Sequence, residues 1–348
     1  TEIFRDIIAE SKKTIIYKNI LSSDIQRYLD YYNRSNRKEI KEDDINLEDF
    51  ISFLDIEHFL KLAGKNHWSD AGNQSQLAIK NIIARLLHRE KGNIQNWDLY
   101  EKFCRSLLPG DIIITFNYDT ILETVLDFLN NEYVFSPDEY YMRKTASSGI
   151  PILILKLHGS IDWYSITPYI KRLENLQNAD TFYDYNHPIF SHSHDFMPKR
   201  VFRYLSDKTS SLKQIYKIDK IREVQDGIPS VTDAPFIISP SYSKIVYLNE
   251  ILDLWFGLND WGNHCSSFTI IGFSLPQHDE YLRQVIFNIL ENYQNQEDLN
   301  GIYKKPPLRF IDKITNDSDL ERLKSRYSFL DFNNLELFRN GFTEESIY

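Results

Sequence analysis

The run Asp111-Ile112-Ile113-Ile114-Thr115-Phe116 constrains this chain more than any other stretch. A short apolar run closed by polar residues reads as a strand buried on both faces of a parallel sheet. An amphipathic helix follows at once, because Ile121, Leu122, Val125, Leu126 and Leu129 share one face at helical period. Thr120 and Glu123 have the spacing of a capping box, so the helix is expected to begin there. Asn117, Tyr118 and Asp119 are left in the turn between the strand's carboxyl end and the helix's amino end. Open α/β sheets take ligands at such turns, where free N–H groups and the helix dipole favour electron-rich groups.

The same pattern recurs down the chain. Ile152 to Leu157 reads as a second buried strand ending in His158-Gly159-Ser160, and Phe236-Ile237-Ile238 as a third ending in Ser239-Pro240-Ser241. Phe268 to Ile271 is a fourth, followed by Gly272-Phe273-Ser274-Leu275-Pro276, and Leu308 to Ile311 a last one ending at Asp312. Tyr133 to Phe135 has the composition of a short strand. Helices are expected over Leu248 to Leu258, from Asp279 onward (Leu282, Val285, Ile286 and Ile289 on one face), and after a Ser318-Asp319 cap, with an aromatic tail behind. Short apolar strands alternating with amphipathic helices predict an α/β fold, a doubly wound Rossmann-like parallel sheet with a helical layer or subdomain.

The layer comes first in the chain. Glu2 to Ile20 and Ser22 to Tyr32 read as two helices, the second opening on a Ser22-Ser23-Asp24 cap; Asn33 to Asp44 is a charged connection. Asn46 is placed to cap a helix whose stripe is Leu47, Phe50, Ile51 and Leu54. Helices are also expected over 77–88 and Trp97 to Leu108, the last one stopped by Pro109-Gly110. Residues 165–235 have weak periodicity and many aromatics, which suits an insertion. The predicted organisation is one domain over 1–348: helical layer 1–110, core sheet 111–164, insertion 165–235, and core sheet with C-terminal helices 236–348.

Composition narrows the function classes. A net charge of −10 argues against a nucleic-acid surface, and Lys199-Arg200 and Lys304-Lys305 read as solvated pairs. No apolar run has the length of a membrane span and no signal-peptide pattern opens the sequence, so a cytoplasmic protein without membrane attachment is expected. Cys104 and Cys265 make neither a disulfide framework nor a zinc pair and are expected to be inert. His187, His192 and His194 lie near Asp184 and Asp195, yet no periodic frame fixes them, and no metal is expected. No GxSxG elbow, P-loop, HExxH or GxG occurs. A dinucleotide-binding sheet ordinarily opens on a strand and a Gly-rich turn, so either this chain does not bind a dinucleotide that way or such a turn precedes Thr1.

Strand ends in a parallel sheet line one edge, so Asn117, Asp119, His158, Ser274 and Asp312 are expected to converge. Each also has a plain structural use: Asn and Asp cap strand-to-helix turns, and a histidine before glycine can simply end a strand. Three stretches together resemble a known family. Thr115-Phe116-Asn117-Tyr118-Asp119, Leu157-His158-Gly159 and Gly272-Phe273-Ser274-Leu275 are similar, in order and rough spacing, to the Thr-Gln-Asn-Ile-Asp, His-Gly and Gly-Thr-Ser-Leu segments of sirtuins. Their wording is closer still to the divergent bacterial sirtuin-like domains that consume NAD⁺ in antiphage defence. This resemblance implies that Asn117 orients water or ribose at the anomeric carbon and that His158 acts on the nicotinamide-ribose hydroxyls as general base. It places Thr115 and Asp119, the latter at the carboxamide, with Gly272, Ser274 and Asp312 among the NAD⁺-binding residues. It further implies NAD⁺ as substrate, a homo-oligomer, and a regulatory partner such as an ATPase, a translocase or a phage-sensing subunit. Phe116 departs from the family glutamine, the paired zinc cysteines are absent, and the Gly-Ala-Gly phosphate turn is missing from the sequence. The missing phosphate turn leaves open a catalytically silent nucleotide- or partner-binding subunit, while the absent zinc cysteines count against a third reading, an NAD-dependent protein deacylase.

Overall fold

The computed structural model describes residues 2–62, 72–91, 96–146, 149–178, 189–190, 198–207, 209–219, 234–242, 248–276, 279–295 and 305–347. The chain divides into two compact units, one of Thr1–Gln95 with Pro109–Ile251 and one of Asn96–Leu108 with Leu252–Tyr348. Parallel sheets with flanking helices give an α/β Rossmann-like architecture, as the strand–helix alternation predicts.

The first unit opens with helices α1 (Glu2–Ser11), α2 (Ile15–Asn36), α3 (Leu47–Phe59) and α4 (Gln74–Lys91). The break between α1 and α2 falls at 12–14, not at Ser22. Ser22 lies inside α2, where its hydroxyl donates back to the Lys18 carbonyl (2.6 Å), a bond that satisfies the side chain without ending the helix. Asn46 caps α3 as expected, its Oδ1 accepting from the N–H of Glu48 (2.8 Å) and of Asp49 (3.2 Å). α4 is the axis of the layer, buried on every side from Ser75 to Ala84. Its polar residues must therefore find partners: Ser75 donates to Asp24 (2.5 Å), Gln76 to Asp55, and Asn81 to the Leu77 carbonyl (3.1 Å). Phe4, Tyr28 and Phe50 pack edge to face in the apolar core of this layer.

One charged link across the layer sets an acid limit. The Arg89 guanidinium on α4 donates two bonds to Glu10 on α1, one of them 2.7 Å long, and Lys13 adds a third at 2.7 Å. These cations pull the buried Glu10 carboxyl down from 4.5 to about 2. Its folded-state value lies below its unfolded one, so the stability it contributes is complete above about pH 4.5 and is lost as pH falls towards 2. Glu10→Gln should cost about 2 kcal/mol at neutral pH, a figure reduced for the half-exposed Arg89. Urea melts between pH 7 and 3 should show a shallower acid slope in the variant than in the wild type.

The first unit's parallel sheet has the order β1 (Ile112–Thr115), β3 (Ile152–Lys156), β2 (Tyr133–Val134). Ile112 pairs with Leu153 and Thr115 with Lys156; Tyr133 pairs with Ile152. β3 is buried at every position, whereas β1 is an edge strand of this sheet with Ile112 39% exposed. The doubly covered strand is thus β3, not the Asp111–Phe116 run. Both runs are apolar, and only the pairing tells them apart. Helices α6 (Ile121–Phe128) and α7 (Pro137–Thr145) follow β1 and β2, and Ser136 caps α7 through its hydroxyl. A small antiparallel sheet, β4 (Trp163–Ser165), β6 (Ile215–Lys217) and β5 (Lys199–Arg200), lies beyond, with α8 (Thr167–Asn178). Phe236–Ile238 is no third parallel strand. Ile237 makes a single antiparallel bridge to Gly159, and the reason lies in the site below.

The second unit holds α5 (Trp97–Ser106), whose Phe103 packs on Phe342, and a parallel sheet ordered β7 (Thr269–Ile271), β8 (Leu308–Ile311), β9 (Leu335–Phe338). The aromatic tail therefore carries a strand that sequence periodicity does not reveal. Leu248 to Leu258 is not one helix. It breaks into short 3₁₀ turns around Gly257, whose φ of 73° is left-handed. Leu282, Ile286 and Ile289 line the buried face of the helix Glu280–Asn295, and Asn316, not Ser318, caps the helix Asp317–Arg326. Among the described residues no helix is long and apolar enough to cross a membrane.

Candidate functional site

The turn after β1 and the turn after β3 are tied together in the first unit. Asn117 donates its backbone N–H to Thr115 Oγ1 (3.1 Å), and its side chain is exposed. The Tyr118 carbonyl accepts from the Ile161 N–H (3.0 Å), and its phenol donates to the Ile238 carbonyl (2.5 Å). Tyr118 also packs on the core of the helical layer, whose α4 residue Ala84 is buried with Ile161. The helices therefore seat this edge of the sheet. Asp119 Oδ1 accepts from the Ile121 N–H (3.0 Å), which starts α6.

The expected Thr120–Glu123 capping box does not form, since Thr120 makes no side-chain cap bond. Glu123 turns inward instead, because the neighbouring strand places a lysine beneath it. Lys156 Nζ, at the end of β3, donates to Glu123 Oε1 (2.7 Å) and to the Asp119 carbonyl. Both side chains are nearly inaccessible, at 1% and 4%. Burial pushes the Glu123 carboxyl up and the Lys156 charge pulls it down, with burial the larger effect.

His158 is 6% exposed, with its ring 5.1 Å from that of Phe116 and 6.3 Å from that of Tyr118. Its carbonyl accepts from the Ile238 N–H (2.9 Å), and the Ser160 N–H donates to the Phe236 carbonyl (3.0 Å). Between them Gly159 has φ 81°, and a Cβ there would stand 2.1 Å from the Phe236 carbonyl oxygen. The close approach that glycine permits is thus taken by the chain's own 236–238 segment. That pairing also explains why Phe236–Ile238 runs antiparallel here and does not extend the parallel sheet. Ser160 Oγ donates to Asp162 Oδ1 (2.6 Å), which steadies the far side of the turn.

Thr115, Asn117, Asp119 and His158 accordingly stand on two adjoining turns at the carboxyl ends of paired strands. Gly272, Ser274 and Asp312 occupy the corresponding strand ends of the second unit. Gly272 has φ 58° with open space where a Cβ would be, so the turn itself, not packing, asks for glycine. Its N–H donates to the Ile311 carbonyl (2.8 Å), Tyr327 donates to the Phe273 carbonyl (2.8 Å), and Arg326 to the Ser274 carbonyl (3.1 Å). Ser274 is exposed. Asp312 Oδ1 accepts from the Lys313 N–H (2.7 Å).

Sequence reasoning missed Lys156 and misassigned Glu123. The signal was present: a lone lysine inside the run Ile152 to Leu157 must bury its charge against a carboxylate if that run is a buried strand. Cys104 is buried and its thiol is pushed up to about 12, as an inert core cysteine should be. Among the described residues no group of three or more His, Cys, Asp or Glu is placed to hold a metal; Asp184, His187, His192, His194 and Asp195 lie outside them.

No curated protein matches the chain. The family described as SIR2-like domain matches residues 111–208. That match takes in Thr115, Asn117, Asp119, Lys156 and His158 and stops short of Gly272, Ser274 and Asp312. The stretch that builds the paired turns is therefore similar to a SIR2-like domain, a type of domain that uses NAD⁺.

Proposed function

We propose that this chain hydrolyses NAD⁺ at the nicotinamide–ribose bond, giving ADP-ribose and nicotinamide. The observation that carries the reading is the pair of linked turns. An exposed Asn117 side chain and the His158 ring stand at the ends of adjacent parallel strands, within the SIR2-like stretch. Nicotinamide leaves a cationic glycoside as a neutral base, so the reaction asks for no strong acid. It asks for an acceptor beside the developing oxocarbenium charge and a held water. Asn117 supplies the amide that orients the water. His158 acts as general base on a nicotinamide-ribose hydroxyl, which passes on the water's proton as the new C–O bond forms, and the C–N electrons return to the nicotinamide ring. Thr115 holds the Asn117 turn, and Asp119 offers its second carboxylate oxygen to the carboxamide.

Such an activity depletes a shared cofactor, so restraint is part of the proposal. The chain would act as an antiphage effector in the cytoplasm, within a homo-oligomer, held in check by a protein partner such as an ATPase, a translocase or a phage-sensing subunit. A second reading rests on Phe116, whose ring packs on His158 where the resemblance has an amide. By it, the chain is a silent subunit that binds nucleotide without cleaving it. The test is NAD⁺ turnover by the purified protein, with and without infected-cell extract, and without acyl-peptide. Release of ADP-ribose is expected. Binding without turnover would select the silent subunit, and turnover that appears only with an acyl-lysine peptide, with the acyl group carried off on ADP-ribose, would replace hydrolysis by deacylation.

A further inference from the structure

We infer that Lys156 is a positioning residue for the cleavage site, holding the Asn117–Asp119 turn in register with His158. The inference rests on the reading of Asn117 and His158 given above. Lys156 ends β3 two residues before His158, so the same strand end that presents the histidine also carries the ammonium. That ammonium reaches across to the neighbouring turn. It donates to the backbone carbonyl of Asp119 and to Glu123 Oε1 (2.7 Å), in the first turn of α6. The carbonyl bond fixes the turn two residues past Asn117, and the carboxylate bond fixes the helix that the turn leads into.

A buried ion pair is poor evidence of stabilisation, since a well-packed apolar pair of similar volume often serves as well. What an apolar pair cannot reproduce here is the bond to the Asp119 carbonyl. Lys156 therefore has two separable roles, neutralising Glu123 and tethering the turn. Only the second bears on the register of Asn117 and His158.

The two roles separate in three variants of the full chain: Lys156→Met, Lys156→Met combined with Glu123→Leu, and Glu123→Gln. Melting temperature, kcat and KM for NAD⁺, and amide hydrogen exchange over 117–121 are measured on each. Lys156→Met leaves Glu123 buried without its partner, so melting temperature falls and exchange over 117–121 quickens. In the double variant melting recovers but exchange stays fast. There kcat stays down by roughly 100-fold, the cost of misplacing a reacting group by about 1 Å, with KM little changed. Glu123→Gln keeps Lys156 on the Asp119 carbonyl and keeps both exchange and kcat near wild type. Recovery of wild-type kcat in the double variant would overturn the inference, because neutralising Glu123 would then be the whole role. Should the double variant not fold, loss of kcat in Glu123→Gln with unchanged exchange over 117–121 overturns it equally. A wild type that shows no NAD⁺ turnover removes the proposed function instead. Exchange over 117–121 then decides the tether alone: quickening in Lys156→Met but not in Glu123→Gln sustains it, and equal rates end it.

Discussion

Asn117→Ala and His158→Ala are each expected to lower NAD⁺ turnover by at least about 100-fold, the usual worth of a positioned proton acceptor or orienting group. The structure separates how the two should melt. Asn117 is exposed and only its backbone N–H is engaged locally, so its truncation should change stability by no more than about 0.5 kcal/mol. His158 is buried against Phe116 and Tyr118. Its loss should cost about 1–3 kcal/mol and lower the melting point by roughly 2–4 °C per kcal/mol. Melting and turnover are to be followed on the same preparations, with turnover read well below the melting point. Asn117→Ala that melts normally yet has lost turnover supports the site. An Asn117→Ala protein with full turnover, or a His158→Ala protein that keeps turnover below its lowered melting point, returns these residues to the scaffold.

Gly159→Ala should be the most damaging single-methyl change in the first unit's site. Two costs coincide there. The backbone is left-handed at φ 81°, and the added carbon would sit 2.1 Å from the Phe236 carbonyl oxygen. Neither can relax alone, because the same segment is bonded on both sides, through His158 to Ile238 and through Ser160 to Phe236. A loss of about 3 kcal/mol or more is expected, read as a lower urea midpoint with unchanged slope. The comparison is Gly272→Ala in the second unit. It shares a left-handed φ of 58° but meets nothing within 4 Å, so its cost should be nearer 1 kcal/mol. Equal destabilisation by the two changes would mean that the 236–238 segment yields, and that the close approach at Gly159 does not hold the turn.

The amino-acid sequence by itself determined the class of fold and the places where chemistry could sit. Periodicity marks β1, β3, β7 and β8 to within a residue or two, because an apolar run closed by a polar turn has few other uses. Asn46 is legible as a cap for the same local reason: its side chain bonds its own helix start, and nothing distant is needed. Non-local pairing escapes such a reading. Whether an apolar strand is central or at an edge depends on its neighbours, and so β3, not β1, proved to be the covered strand. Phe236–Ile238 has the composition of a parallel strand, yet Gly159 draws it into an antiparallel bridge. Thr120 and Glu123 have the spacing of a capping box, but a lysine on the next strand offers the carboxylate a stronger partner than a helix N–H. Local spacing sets what a side chain can do. The charge that the tertiary fold brings beside it decides what it does, and at Lys156 that choice links two turns otherwise separated in the chain by two strands and two helices.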